Sequence, residues 1–97
     1  MPLGLCTIEL RFPETFSIKD KRRILRSIID RVRSRYNVSI AEVGENDSWR
    51  ACSLAVCCVS NSGPQIDSVL SNVVHFIESQ RLDAELVSYD IDITYPV

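Results

Sequence analysis

The 97 residues predict an α+β domain in which a four-stranded antiparallel sheet carries two helices on one face. Three observations lead there. Apolar residues alternate with polar ones near both ends of the chain, the signature of strands with one buried face. Two internal segments repeat their apolar residues every three or four positions, the period of amphipathic helices. Breaks rich in Gly, Pro, Asn and Ser separate these periodic stretches.

The first strand runs from Leu3 to Phe12, with Gly4, Cys6, Ile8, Leu10 and Phe12 on one face and Thr7, Glu9 and Arg11 on the other. Pro13 stops it. Ser17 is placed to cap a helix, and Asp20 three residues later fits a capping box and complements the helix dipole. The helix then extends from Ile18 to about Arg35, with Ile18, Leu25, Ile28, Ile29, Val32 and Tyr36 in one arc and Ile24 at its border.

Asn37 to Val43 reads as a second strand and Trp49 to Val59 as a third, joined into a hairpin by the turn residues of Gly44 to Ser48. Asn61, Ser62, Gly63 and Pro64 interrupt the chain. Pro64 suits the first position of a second helix, with Gly63 or a neighbour as its cap, and Ile66, Val69, Leu70, Val73 and Ile77 carry that helix to about Gln80. Ala84 to Tyr95 closes the sheet, with Val87, Tyr89, Ile91, Ile93 and Tyr95 on one face and Ser88, Asp90, Asp92 and Thr94 on the other. The order βαββαβ is that of a ferredoxin-like domain, here a single one over residues 1–97, with the first and third strands at its centre.

Charge is unevenly placed. Lys19, Lys21, Arg22, Arg23, Arg26, Arg31, Arg33 and Arg35 face only Asp20 and Asp30 within the first helix, which gives that segment +6 and leaves −8 on the rest of a chain of net charge −2. Lys19, Arg22, Arg23, Arg26 and Arg33 cluster on one flank of the helix, Arg31 and Arg35 on the other. A helix serving solubility alone intersperses Glu with its cations, and this one has no Glu. A polyanion would relieve the repulsion through counterion release, so the stripe is a candidate RNA-binding edge. The competing reading is a solvated face whose late arginines suit the negative end of the dipole.

Lys21 projects into the apolar arc. Either its stem lies on the sheet edge and the ammonium snorkels to water, or it serves a pocket or an ion pair at the end of the sheet near the Phe12 to Phe16 loop. An RNA-binding sheet of this topology stacks bases on exposed aromatics, whereas the outer face here offers Thr7, Glu9, Ser88, Asp90 and Asp92. Binding would therefore come from the helix edge. Trp49 reads as a residue packed at the hairpin end, or an exposed one.

The chemistry of catalysis is poorly represented. The three glycines fall at neither phosphate-loop nor dinucleotide spacing, and His75 projects away from the apolar face of the second helix with no nucleophile beside it in sequence. Glu9, Asp90 and Asp92 share the outer sheet face but read as solvated carboxylates, and no metal or other cofactor is expected. Cys6, Cys52, Cys57 and Cys58 lie in apolar runs without a CxxC pair, as buried free thiols do. The opening MPLGLCTIEL has no basic lead before its apolar run, and no apolar stretch nears the roughly 20 residues of a membrane span, which points to the cytoplasm.

The segments GLCTIEL, FSIKDKRRILRSIIDRVRSRYNVSIAEV, DSW and VSN together resemble the YlxP-like family of small bacterial proteins, a family of unknown function. The likeness covers most of the chain and is densest at Ser17 to Arg22 and at Asn37 to Val43. It implies a ferredoxin-like fold and brings no catalytic residues with it. Family genes often lie beside those for translation initiation and ribosome maturation, which implies work near the small ribosomal subunit. The expectation is thus a non-enzymatic accessory protein that binds ribosomal RNA or a 30S particle through Lys19, Arg22, Arg23, Arg26 and Arg33. The alternative is a protein-interaction module or homodimer that uses the open sheet face.

Overall fold

The computed structural model describes residues 1–44, 48–80 and 83–96. The strands are β1 (Leu3–Arg11), β2 (Ser39–Val43), β3 (Ala51–Val59) and β4 (Glu85–Thr94), and the helices are α1 (Ile18–Arg35) and α2 (Gly63–Glu78). Their order is β1-α1-β2-β3-α2-β4, and the sheet order is β2-β3-β1-β4 with every neighbouring pair antiparallel. The fold is ferredoxin-like, with β1 and β3 central.

The alternation of β1 sets the core. Cys6, Ile8, Leu10 and Phe12 are buried on the helix side and meet Cys52, Leu54, Val56 and Cys58 of β3. Leu25, Ile28 and Val32 of α1 and Ile66, Leu70, Val73, Val74 and Ile77 of α2 cover them. Each of the large aliphatic side chains contributes about 1.5–3 kcal/mol by leaving water. Gly4 lets α2 sit close: a Cβ there would collide with Ile66 Cγ2 and come within 2.9 Å of Leu70 Cδ1.

The helix ends follow from local chemistry. Ser17 Oγ accepts the backbone N–H of Asp20 at 3.1 Å, which is one arm of the capping box. The Asp20 carboxylate lies instead 3.9 Å from Arg23, so the reciprocal arm is not made. In α2 the cap is Ser62, whose Oγ accepts from Gln65 N at 3.3 Å, and the helix therefore begins at Gly63, one residue before Pro64.

Three expectations shift. The second and third strands start two residues later than their sequence patterns suggest, at Ser39 and Ala51. The turn expected over Gly44 to Ser48 includes residues 45–47, which lie outside the described residues; Gly44 itself has φ of +78°, a conformation that favours glycine. The apolar face of β4 is not one unbroken alternation. A bulge opposite Glu9 and Leu10 pairs Glu9 with Ser88 but Leu10 with Leu86, so the parity changes. Leu86, Ile91 and Ile93 pack against the core, while Val87 is 51% exposed.

Candidate nucleic-acid interface

The α1 cylinder is fixed on the sheet by Lys21, Leu25, Ile28 and Val32, all buried. With that arc inward, Lys19, Arg26 and Arg33 recur every seven residues and form a nearly straight row, each step about 10.5 Å along the axis. Arg22 and Arg23 lie on either side of it. Asp30 falls between Arg26 and Arg33, the one acid within the row.

The basic residues of α1 divide by what they touch. Arg31 Nη1 donates to Gln80 Oε1 at 2.7 Å, and the Arg35 guanidinium lies 4.6 Å from the centre of the Phe76 ring, which itself meets Tyr36 edge-on. This flank holds α1 to α2. Arg22 Nη1 sits 3.4 Å from Glu42 Oε1, and Arg33 Nη2 donates to the Ile40 carbonyl at 3.0 Å, so both hold α1 to the edge strand β2. Arg33 thereby covers a backbone acceptor on an open sheet edge. Arg23 has only its loose, exposed contact with Asp20. Lys19 and Arg26 make no hydrogen bond or ion pair among the described residues.

The five residues expected to bind RNA therefore share one side of the domain, with Arg22, Arg26 and Arg33 bordering a groove between α1 and β2 over Ile29, Ala41 and Glu42. Their charges are unequal in availability. Arg22 is partly neutralised by the Glu42 carboxylate and Arg33 spends a donor on the Ile40 carbonyl, whereas Lys19 and Arg26 keep all their donors free for a ligand.

Lys21 does not snorkel. It is fully buried, donates through Nζ to the Ser48 carbonyl at 2.6 Å, and faces Glu42 Oε2 at 3.3 Å. It belongs to a series of donors that fix the approach to β3: Thr15 Oγ1 donates to the Trp49 carbonyl at 2.7 Å and Phe12 N to the Arg50 carbonyl at 2.7 Å. Three consecutive carbonyls are thus tied to the β1–α1 connection and the first turn of α1. Trp49 lies before β3, half-buried, with the Arg50 guanidinium 4.9 Å from its ring centre.

The cysteines are free thiols. Burial pushes Cys52 up to about 12, with the nearby Lys21 ammonium pulling the other way, and pushes Cys6 up to about 11. His75 is exposed, with Nδ1 3.9 Å from Glu78.

The outer sheet face has two halves. Glu9, Ser88, Asp90 and Asp92 line the β1–β4 side, where Ser53 Oγ also donates to Glu9. The β2–β3 side is mainly apolar: register sets Ala41 beside Ala55 and Cys57 beside Leu5, with Val43 and Val59 exposed and Ser39 and Ser53 the polar residues among them. No group of His, Cys, Asp and Glu among the described residues is arranged to hold a metal ion. No helix among them is long and apolar enough to cross a membrane.

Several of these features escape the sequence reading. Glu42, which faces both Lys21 and Arg22, carries no local signal because the contact depends on β2 lying beside α1. The apolar half of the outer face was visible in the small residues of Ala51 to Val59, once that strand's inward parity is known. Phe16, 73% exposed, is the third. Its signal is that the residue four positions into α1, against which it would normally pack, is Lys21.

Among solved structures, the fold is similar to SnoaB, a cofactor-independent oxygenase from Streptomyces nogalater, with a TM-score of 0.57 at 4% identity over 100% of this chain and 95% of that one. It is also similar to a de novo designed protein, Foldit4, with a TM-score of 0.56 at 10% identity over 100% of both chains. A putative chlorite dismutase, TA0507, gives 0.53 at 16% identity over 96% of this chain and 44% of that one. At such identities these likenesses concern the fold alone. In sequence, the uncharacterized protein YlxP of Bacillus subtilis (strain 168) is 36% identical over 77 residues, 79% of this chain and 84% of that protein. With residues 3–91 matched by the family described as "Protein of unknown function (DUF503)", the chain belongs to that family.

Proposed function

We propose that this chain is a non-enzymatic bacterial accessory protein that binds ribosomal RNA or a small-subunit particle through the α1 edge of Lys19, Arg22, Arg23, Arg26 and Arg33. One observation carries the reading: Lys19 and Arg26 have no partner among the described residues, and they stand in line with Arg33 on a helix anchored rigidly to the sheet. A solvated helix gains nothing from that alignment. A phosphate backbone gains cations at regular intervals without ordering any new segment. The ribosomal assignment rests on the family resemblance and its gene neighbourhood.

Co-sedimentation with 30S subunits and with naked ribosomal RNA tests it, at low and at moderate salt. Five phosphate contacts give a log–log salt slope of about −3.5 to −4.5. Lys19→Glu with Arg26→Glu, both pointing to solvent, should abolish binding and leave the urea midpoint unchanged. A folded double variant that binds as wild type does would sink the proposal.

A second reading, a protein-interaction surface or homodimer, draws on the apolar β2–β3 half of the outer face, where Leu5, Val43 and Val59 stand 43%, 39% and 61% exposed. Sedimentation equilibrium checks its homodimer form: a tight dimer insensitive to salt and broken by Val59→Glu supports it, and a monomer removes it.

A further inference from the structure

Positive charge along α1 does not by itself distinguish a single strand from a duplex, since both carry phosphates. The end of the domain where α1 begins adds a feature of another kind. Phe16 immediately precedes the cap residue Ser17, a position from which an apolar side chain usually folds onto the fourth helical residue. That residue is Lys21, which is buried with its ammonium on the Ser48 carbonyl. Phe16 is left 73% exposed, more than any other large hydrophobic residue among those described.

This ring has basic neighbours along the chain. Lys19 lies three residues on, followed by Arg22 and Arg23, and Lys19 opens the row that continues to Arg26 and Arg33. The adjoining Thr15 is bonded to the backbone of Trp49, so a second aromatic residue, with Arg50 already stacked on its ring, belongs to the same end of the domain. Acids are present too: Glu14 precedes Phe16 by two positions, and Asp20 stays near Arg23. An exposed aromatic at one end of a row of cations is the combination that binds single strands, through phosphate pairing along the row and a base face on the ring. The interior of a duplex cannot use it, because its base faces are already stacked on one another.

We propose that the α1 edge takes an unpaired RNA segment, a loop, bulge or end, with one base stacked on Phe16; this rests on the reading of the edge as a phosphate-binding surface. Fluorescence anisotropy with a short labelled oligouridine and an RNA duplex of equal length, closed at both ends by non-aromatic linkers so that no terminal base face is open, tests it. Phe16→Ala should weaken oligouridine binding about five- to a hundredfold, as the loss of one base stack does. Its salt slope should stay at the wild-type value, since no cation is removed, and duplex binding should not change. Phe16→Tyr should restore the affinity.

The two readings fail differently. If Phe16→Ala binds oligouridine as wild type does while Lys19→Glu with Arg26→Glu does not bind, the phosphate-binding edge stands and the stacking proposal is overturned. An equal loss on oligouridine and duplex also overturns it, because stacking on an unpaired base cannot weaken a duplex. If the wild-type protein binds neither RNA, both readings fall.

Discussion

Replacing Lys21 by Met removes a charge from the interior and little else. The side chain is fully buried, and Met fills most of the space of the lysine stem, so the cavity contribution is small. What is lost is electrostatic. The Ser48 carbonyl loses a charge-assisted donor at 2.6 Å, a contribution of about 1.5–3 kcal/mol. Glu42 loses the cation at 3.3 Å and keeps Arg22 at 3.4 Å, and its side chain is only 11% exposed. Breaking one side of a buried pair costs about 3–5 kcal/mol, and the remaining arginine places Lys21→Met near the lower end, at about 3 kcal/mol. With a urea slope of about 1.5 kcal/mol/M the midpoint should fall by about 2 M. Glu42→Gln leaves the ammonium without its carboxylate and should be similarly damaging. In the double variant only the Ser48 carbonyl remains short of its donor, so the two losses should fall short of additivity by at least about 1.5 kcal/mol. Urea melts of the four proteins by circular dichroism give the cycle. A loss under about 1 kcal/mol for Lys21→Met, or simple additivity, would show that the buried contact contributes nothing beyond its surroundings.

Gly4→Ala should destabilise the domain by about 1–3 kcal/mol, because the new methyl meets Ile66 and Leu70 and α2 must move to admit it; thermal melts would show the midpoint falling by several degrees. Alkali should destabilise the fold through the buried thiols. Cys52 and Cys6 have folded values of about 12 and about 11 against an ordinary 9.0, so the stabilisation is complete below pH 9 and lost above it, by up to about 1.4 kcal/mol per pH unit for each thiol until its folded value is reached. Urea midpoints between pH 8 and 10.5 should fall accordingly, and a Cys52→Ala variant should show a shallower decline. A thiol reagent on the native protein at neutral pH should modify Cys57 first, since it is the one cysteine of the four that is not buried, and full unfolding should release the rest. Simultaneous reaction of all four would contradict the core described here.

What the sequence discloses is what depends on neighbours in the chain. The bounds of α1 are legible because Ser17, the dipole-matched Asp20 and the spacing of Leu25, Ile28 and Val32 are all local signals. The core face of β1 is legible because every second residue from Gly4 to Phe12 is apolar or small. The β4 bulge is not, because it is a property of the pairing with Glu9 and Leu10, and Val87 alternates correctly on its own strand. The candidate edge divides in the same way. Helical spacing alone gathers Lys19, Arg22, Arg23, Arg26 and Arg33 on one flank. Which of them are engaged depends on Glu42 and the Ile40 carbonyl, groups brought beside α1 only when β2 joins the sheet.

The outer sheet face and the α1 edge carry charge of opposite sign on opposite layers of one small domain, which makes the molecule an electric dipole with its positive pole on the helix side. In the field of a polyanion such a body experiences a torque as well as an attraction, so it arrives already turned with the helices inward. A copy seated this way shows the solvent Glu9, Asp90 and Asp92 together with the apolar strip of Leu5, Val43 and Val59. The nucleic acid beneath it would acquire a carboxylate-rich, partly greasy protein surface at that spot. A second strand would then be repelled from the exposed side.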